Sequence, residues 1–206
     1  MSALLGDIGQ IASLLEQGLP VAIPTDTVCG VAVAVNAVSD PGVLFRVKER
    51  PLEKAIPWLV GSLEDLATYS QNLPDWARRL AEAHWPGALT LVCPAAAGVP
   101  AAFLPADRTL ALRMPDHPLV LQLIRRLGTP LACTSANISG AEPVSRIADL
   151  DPRLVERLAG LLDDRDWPAP PAAARPSTII SCLADQPTIL RVGALDLSAE
   201  LAAVIE

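Results

Sequence analysis

The sequence predicts an α/β protein built on a mixed β-sheet. Short apolar runs alternate with amphipathic helical segments along the whole chain of 206 residues, which is typical of strands interleaved with helices. Several neighbouring runs are joined by links too short for a parallel crossover, so some strand pairs must be antiparallel. With 51% hydrophobic residues the chain can bury one substantial core. Because no internal stretch has linker composition, we expect a single domain over residues 1–206.

Helices are predicted where apolar residues share one helical face and capping residues bound the segment. The first carries Ile8, Ile11 and Leu15 and stops at Gly18. Others begin at Ser39-Asp40-Pro41, Ser62, Asp75 (to about His84), His117 and Asp151-Pro152 (to about Gly160), and a last one ends the chain. The predicted strands are, in order, VAIP, GVAVAV, IPWLV, ALTLVC, TLALR, PLAC, STIIS and TILRVG.

Composition excludes several classes of protein. The formal charge of −7 argues against a surface that grips nucleic acid throughout. No apolar run approaches the ~20 residues of a membrane span, and the N-terminus lacks a signal-peptide pattern, so we expect a soluble, cytoplasmic protein. The four cysteines are scattered and the two histidines, His84 and His117, have no partner at metal-ligand spacing. Both histidines are predicted to have structural or surface roles.

Polar clusters follow four of the predicted strands, which indicates one pocket. They are Thr25-Asp26-Thr27 after VAI, Arg113 after LAL, Thr134 to Asn137 after PLAC, and Arg191 after TIL. Ligands of open α/β sheets bind in the crevice beyond the strand ends. Arginines, hydroxyls and amides in an otherwise acidic chain suit a polar anion such as a carboxylate or a phosphate. Alternatively, each cluster only ends its strand.

Two further segments have both a structural and a functional interpretation. Lys48 and Arg50 stand where basic residues complement a helix dipole, whereas Lys54 lies beyond that helix. The loop TSANISG could place Gly140 at a positive φ angle while its Ser and Asn bond their own backbone. The sequence has no nucleophile-plus-base pair and neither of the glycine-rich phosphate motifs GxxxxGK[ST] and GxGxxG. Positioning and charge are therefore expected to do the chemistry.

Seven motifs, in this order, resemble the threonylcarbamoyl-adenylate synthase family built on the YrdC-like domain. They are PTDTVCG, KERP, HWPGALTLV, TLALRMPDHPLV, SANISG, PSTII and ILRVG. The resemblance covers about residues 8 to 195 and is to the short, single-domain form. It implies a twisted mixed sheet with flanking helices around a deep, positively charged pocket.

The resemblance implies synthesis of L-threonylcarbamoyl-AMP and pyrophosphate from L-threonine, bicarbonate and ATP. A separate threonylcarbamoyl transferase complex then uses the product to modify the adenosine next to the anticodon of tRNA. By motif position, the resemblance implies threonine contacts from Thr25, Arg113, Cys133 (backbone) and Ser177. The implied ATP contacts are Lys48, Leu52, Thr109, Ser135, Pro143 and Arg191. The implied catalytic cations are Lys48, Arg50 and Arg191.

Magnesium is expected to arrive with ATP, since no carboxylate cluster would build a protein metal cage and Asp26 would offer at most one contact. Two positions depart from the family pattern, namely Cys29 in place of an aromatic residue and Val192 in place of a proline. A lone thiol at Cys29 is interpreted as a pocket wall. The alternative function is a non-synthase relative that binds nucleotide or RNA in the same groove, and direct RNA binding is left open.

Overall fold

The computed structural model describes residues 3–48, 56–168, 175–198 and 200–201. Within them, no helix is long and apolar enough to cross a membrane. The strands form one ten-stranded sheet in the order β1-β8-β2-β3-β7-β4-β6-β5-β9-β10. Their bounds are β1 Ala3–Leu5, β2 Val21–Ile23, β3 Gly30–Ala34, β4 Trp58–Leu59, β5 Leu89–Pro94, β6 Thr109–Arg113, β7 Leu131–Ser135, β8 Gly160–Leu162, β9 Thr178–Ser181 and β10 Thr188–Arg191.

The sheet is mixed, as the sequence predicts. The short links β2–β3 and β9–β10 and the longer link β5–β6 join antiparallel neighbours, and β3 also pairs antiparallel with β7. Parallel pairs join strands that are distant in sequence, such as β4 with β6 and β5 with β9. The strand order thus brings together, in one sheet, strands from the first and the last third of the chain.

Six α-helices flank the sheet within the described residues. They are α1 Ile8–Glu16, α2 Gly42–Lys48, α3 Glu64–Tyr69, α4 Asp75–His84, α5 Pro118–Leu127 and α6 Pro152–Val155. Asp7 and Asp40 accept backbone N–H groups at the starts of α1 and α2. Gly18 and Gly128, at φ angles of 73° and 63°, end α1 and α5 in the left-handed conformation that favours glycine.

Helices cover both faces of the sheet, which explains the unbroken apolar run of β3. Val31 and Val33 face a core that includes Leu44 of α2 and Leu80 of α4. Ala32 and Ala34 face the opposite core with residues of α1 and α5. Successive side chains of a strand point to opposite faces, so a doubly covered strand is apolar at every position.

Four elements, β7, α6, β8 and β1, differ from the sequence predictions. β7 continues through Thr134 and Ser135, which the sequence placed in a loop, because both pair with β3. The helix expected to reach Gly160 stops at Val155, and Gly160 opens the unpredicted strand β8. β8 is parallel to β1, which was also unpredicted. Both strands have three residues, too short for a periodic signal. The predicted C-terminal helix lies largely outside the described residues.

Candidate functional site

A cavity of about 360 Å³ opens where the polar strand ends meet. The four clusters predicted to share a pocket all contribute to its wall. Its predicted members are Thr25, Arg113, Cys133, Ser135, Pro143, Ser177 and Arg191. Thr27 and Thr134, which belong to the predicted clusters, also line it, and Thr90 is an unpredicted polar member.

Arg113, the last residue of β6, is buried at the cavity wall with only 8% of its side chain exposed. Its Nε donates to the carbonyl of Gly87 at 3.0 Å. One Nη donates to Thr27 Oγ1 at 2.8 Å and the other to Asp26 Oδ1 at 2.6 Å. A guanidinium carries five N–H donors in a planar fork. These three bonds fix its plane and leave two donors for a ligand.

The segment Thr25–Thr27 carries a directed chain of hydrogen bonds that begins at Arg113 and ends at the carbonyl of Val28. Because Thr27 Oγ1 accepts from Arg113, its own proton serves Thr25 Oγ1 at 3.0 Å. Thr25 Oγ1 also accepts from the amide of Thr27 and donates to the carbonyl of Val28. One donor and two acceptor positions are the whole capacity of a hydroxyl. The Thr25 hydroxyl is thus occupied within the chain, and its remaining surface meets the cavity.

Arg191 reaches the cavity from an irregular edge strand. The β9–β10 pairing changes register between Ile189 and Arg191, so one residue of β10 is extra. Such a bulge re-aims the side chains that follow it. Nε and Nη2 of Arg191 donate to the carbonyl of Ser177 at 3.0 and 2.8 Å. Partial burial, and then the charge of Arg113, lower the pKa of Arg191.

Ser177 is held between Arg191 and a residue that the sequence reasoning missed. Its hydroxyl is 2.7 Å from Thr90 Oγ1 and 3.2 Å from Nη2 of Arg191. Thr90 is 1% exposed, and the only signal for it was a single polar residue inside the apolar run of β5. A buried hydroxyl between two leucines needs a partner, and Ser177 supplies it.

Lys48 lies behind the cavity wall. It is 3% exposed, and Nζ donates to the carbonyl and hydroxyl of Ser135 at 2.6 and 3.0 Å and to Asn137 Oδ1 at 3.1 Å. The ammonium therefore orders the turn after β7. The helix-dipole interpretation is incomplete, since a lysine serving only the dipole would be solvated.

The backbone of Cys133 offers an unusual acceptor at the cavity. Its amide donates to the carbonyl of Pro57 at 2.9 Å, which places the two residues opposite each other in the extension of the antiparallel β4–β7 pair. Such pairs normally exchange two bonds. Proline has no N–H to return, so the Cys133 carbonyl receives no bond from Pro57. Both residues line the cavity.

The two cavity thiols are unreactive by environment. Burial raises the pKa of Cys29 and of Cys133 to about 12, which keeps both protonated at neutral pH. A thiolate, rather than a thiol, is the nucleophile in cysteine chemistry. This agrees with the interpretation of Cys29 as a wall residue.

Thr109 is not among the described residues that line the cavity. Thr109 opens β6 while Arg113 closes it, roughly 13 Å apart at the rise of a strand. The Thr109 hydroxyl donates to Asp107 at 2.9 Å. Motif position alone did not reveal that it occupies the far end of the strand. Arg50 and Leu52, as well as Lys54, lie outside the described residues.

A second cavity of about 440 Å³ lies beside the same segment and includes Thr25, Asp26 and His117. His117 is buried, as a structural role requires, and its ring centroid is 5.6 Å from that of Trp167. Burial lowers the pKa of His117 from 6.5 to about 4, although Asp26 and Asp164 oppose the shift. Its Nδ1 has no hydrogen-bond partner among the described residues.

Comparison with known proteins places this arrangement in a family. A family model named for Sua5, YciO and YrdC, and described as telomere recombination, matches residues 13–193. The chain belongs to the Sua5/YciO/YrdC family.

Similar family members have related names and differ in length. The chain is 34% identical to a threonylcarbamoyl-AMP synthase of Bacillus subtilis, over 91% of this chain and 54% of that protein. It is 36% identical to one from Stenotrophomonas maltophilia, over 72% of this chain and 81% of that protein. Sua5 of P. abyssi, solved in complex with L-threonine, superposes with a TM-score of 0.81 at 31% identity, over 96% of this chain and 57% of that one. The chain thus spans about half the length of the B. subtilis and P. abyssi proteins.

Proposed function

We propose that this chain is an L-threonylcarbamoyladenylate synthase that forms L-threonylcarbamoyl-AMP and pyrophosphate from L-threonine, bicarbonate and ATP. The observation that carries the proposal is the cavity itself. Arg113, with two N–H donors outside its three bonds, and Cys133, whose carbonyl receives no bond from Pro57, line one cavity. A cationic fork and a carbonyl acceptor are what the carboxylate and the amine of an amino acid require. The family relation supports the same substrate class.

The threonine end of the site follows from these groups. The threonine carboxylate pairs with the two spare N–H donors of Arg113, and the amine donates to the Cys133 carbonyl. Thr25 supplies its methyl and backbone, because its hydroxyl is already saturated. Ser177 closes the site from the side of β9 and links it to Arg191.

The ATP end is assigned to the opposite wall. Arg191 carries no carboxylate partner among the described contacts and is destabilised as a cation by burial and then by Arg113, so a phosphate between the two arginines is favourable. Ser135 and Pro143 line the same wall, and Lys48 supports Ser135 from behind. The resemblance adds Arg50 and Leu52, which lie outside the described residues.

The reaction joins two anions and so depends on cations and orientation. The threonine amine adds to bicarbonate with loss of water, which gives a carbamate. A carbamate oxygen then attacks the α-phosphorus of ATP while the bond to the pyrophosphate oxygen breaks. The carbamate and the α-phosphate are both anions and repel each other as the new bond forms. The barrier is lowered by Arg191, Lys48 and Arg50, which stabilise charge on the phosphates. Because the site holds the carbamate and ATP next to each other, their reaction also avoids the entropic cost of bringing two free molecules together.

Magnesium enters this scheme only as the ion bound to ATP. The described residues contain no group of three or more His, Cys, Asp or Glu side chains that could hold a metal ion. The nearest carboxylate to the cavity arginines, Asp26, is committed to Arg113. When bound, the ion would neutralise phosphate charge.

The product is a mixed anhydride that a second enzyme must consume. We assign that step to a threonylcarbamoyl transferase complex acting on tRNA, which fits a cavity with only two described arginines in its wall and a chain of charge −7. Broad phosphate contact would need a basic surface.

Pyrophosphate release is the measurement that tests the proposal. Purified protein with ATP is assayed with L-threonine and bicarbonate, with each omitted in turn, and with L-serine as the matched amino acid. We expect release only in the complete mixture, and mass spectrometry should detect the threonylcarbamoyl adenylate. Equal release without threonine would refute the synthase assignment. Nucleotide binding with no turnover in the complete mixture would favour the non-synthase alternative.

A further inference from the structure

Asp26, the acidic residue of the segment Thr25–Thr27, contacts Arg113. Its side chain is 15% exposed, and Oδ1 accepts Nη2 of Arg113 at 2.6 Å and the backbone N–H of Asp116 at 3.1 Å. The second bond holds the carboxylate from the chain segment that follows β6. The acceptor is therefore fixed on both sides before any ligand enters.

Without that carboxylate, the orientation of the Arg113 fork would be underdetermined. Gly87 holds Nε and Thr27 holds Nη1, but both are neutral acceptors, and bonds to ionised acceptors are roughly twice as strong. Burial, and then the charge of Arg113, lower the pKa of Arg191, so the two arginines repel each other. The Asp26 carboxylate offsets this repulsion by pairing with Arg113.

We propose that Asp26 is a positioning residue for the substrate carboxylate, acting through Arg113. It fixes the guanidinium of Arg113, which lines the cavity and has two N–H donors outside its three hydrogen bonds. This inference rests on the proposed function for the identity of the ligand, while the fixed fork is a property of the protein alone. The segment Thr25–Thr27 interrupts the apolar strands β2 and β3 because it clamps Arg113, with Thr27 on one Nη and Asp26 on the other.

The test compares Asp26→Ala, Asp26→Asn and the control Asp116→Asn in the full chain. Asp116 sits in the same region, but only its backbone N–H touches Asp26, so Asp116→Asn removes one negative charge and keeps the clamp. Threonine and ATP binding are measured by calorimetry, and the guanidinium resonances of Arg113 by nitrogen-15 NMR. A locked fork gives separate, sharp Nη signals.

Asp26→Ala is expected to weaken threonine binding by about 10–100-fold, as loss of an orienting partner does, while ATP binding stays within about twofold. Its Arg113 Nη signals should broaden. Asp26→Asn, which keeps an oxygen acceptor, should fall between, and Asp116→Asn should match the wild type. Raising threonine concentration should rescue turnover in Asp26→Ala, because KM rises while kcat is largely kept.

Two results would overturn the inference. One is wild-type threonine affinity with sharp Nη signals in Asp26→Ala. The other is an equal loss of threonine and ATP affinity, which would show a general structural defect. If the wild type itself binds no threonine, the proposed function fails, and the Nη signals of Asp26→Ala still decide whether Asp26 fixes the fork.

Discussion

Acidification should destabilise this protein through one buried histidine. The folded-state pKa of His117 is about 4, against 6.5 for the unfolded chain. Between these values the unfolded state binds more protons, so the stabilising contribution is complete above pH 6.5 and is lost as pH falls toward 4. His117 is 5% exposed and its Nδ1 has no partner among the described residues, so protonation in place is strongly disfavoured.

The magnitude follows from the gap between the two pKa values. Each pKa unit is worth about 1.4 kcal/mol, and about 2 kcal/mol of the total is lost by pH 5. For a chain of this size that loss lowers Tm by roughly 4–8 °C. The described carboxyl groups with lowered pKa values, Glu64, Asp151, Asp163 and Asp196, start from 4.5 or below. Their protonation therefore reduces the free energy of unfolding mainly below pH 5.

The assay is urea unfolding at pH 7.0 and 5.0 for the wild type, His117→Phe and the control His84→Gln. His117→Phe should remove most of the drop between the two pH values, and His84→Gln should retain it, although it breaks the contact of His84 with Glu200. The same drop in wild type and His117→Phe would refute the reasoning.

Three further predictions concern the site. Arg113→Ala should weaken threonine binding by about 2–4 kcal/mol, and Arg113→Lys should not restore it. The alanine variant should also have a lower free energy of unfolding, because Asp26 loses its partner. An unchanged threonine titration would refute the assignment of Arg113. Lys48→Met and Arg191→Ala should impair ATP use more than threonine use, and wild-type ATP titrations in both would contradict it. Cys29→Ser should keep most of the activity. Native Cys29 should resist alkylation at pH 8, since a pKa of about 12 leaves almost no thiolate. Loss of turnover in a folded Cys29→Ser variant would show that the thiol takes part in the reaction.

The convergence of the site was predictable because strand ends and polar clusters coincide in the sequence. Arg113 and Arg191 both end apolar strands, and the crevice rule places such residues together. Cys133 was named for its backbone from motif position. The reason that its carbonyl is left without a strand partner, a proline across the ladder, appears only when the register of β4 and β7 is known.

Other features could not be obtained from the sequence because they depend on pairs distant in the chain. Asp26 was predicted as a member of a pocket cluster and as at most one contact for a metal, whereas its pairing with Arg113, 87 positions away, is a tertiary contact. Thr90 and Ser177 are likewise 87 positions apart. Thr109 was assigned to ATP by motif position, and its place at the opposite end of β6 from Arg113 appears only when the strand bounds are known.

The bulge in β10 has a consequence for solubility. β10 is the last strand of the sheet and its Ile189, Leu190 and neighbouring Val192 are 44%, 57% and 67% exposed. A regular apolar edge would be a template for pairing with other chains, and bulges are one means of preventing this. Deleting the extra residue would smooth the edge and turn Arg191 to the opposite face. Aggregation resistance and the aim of a cavity arginine therefore depend on the same irregularity, and neither can be altered there without the other.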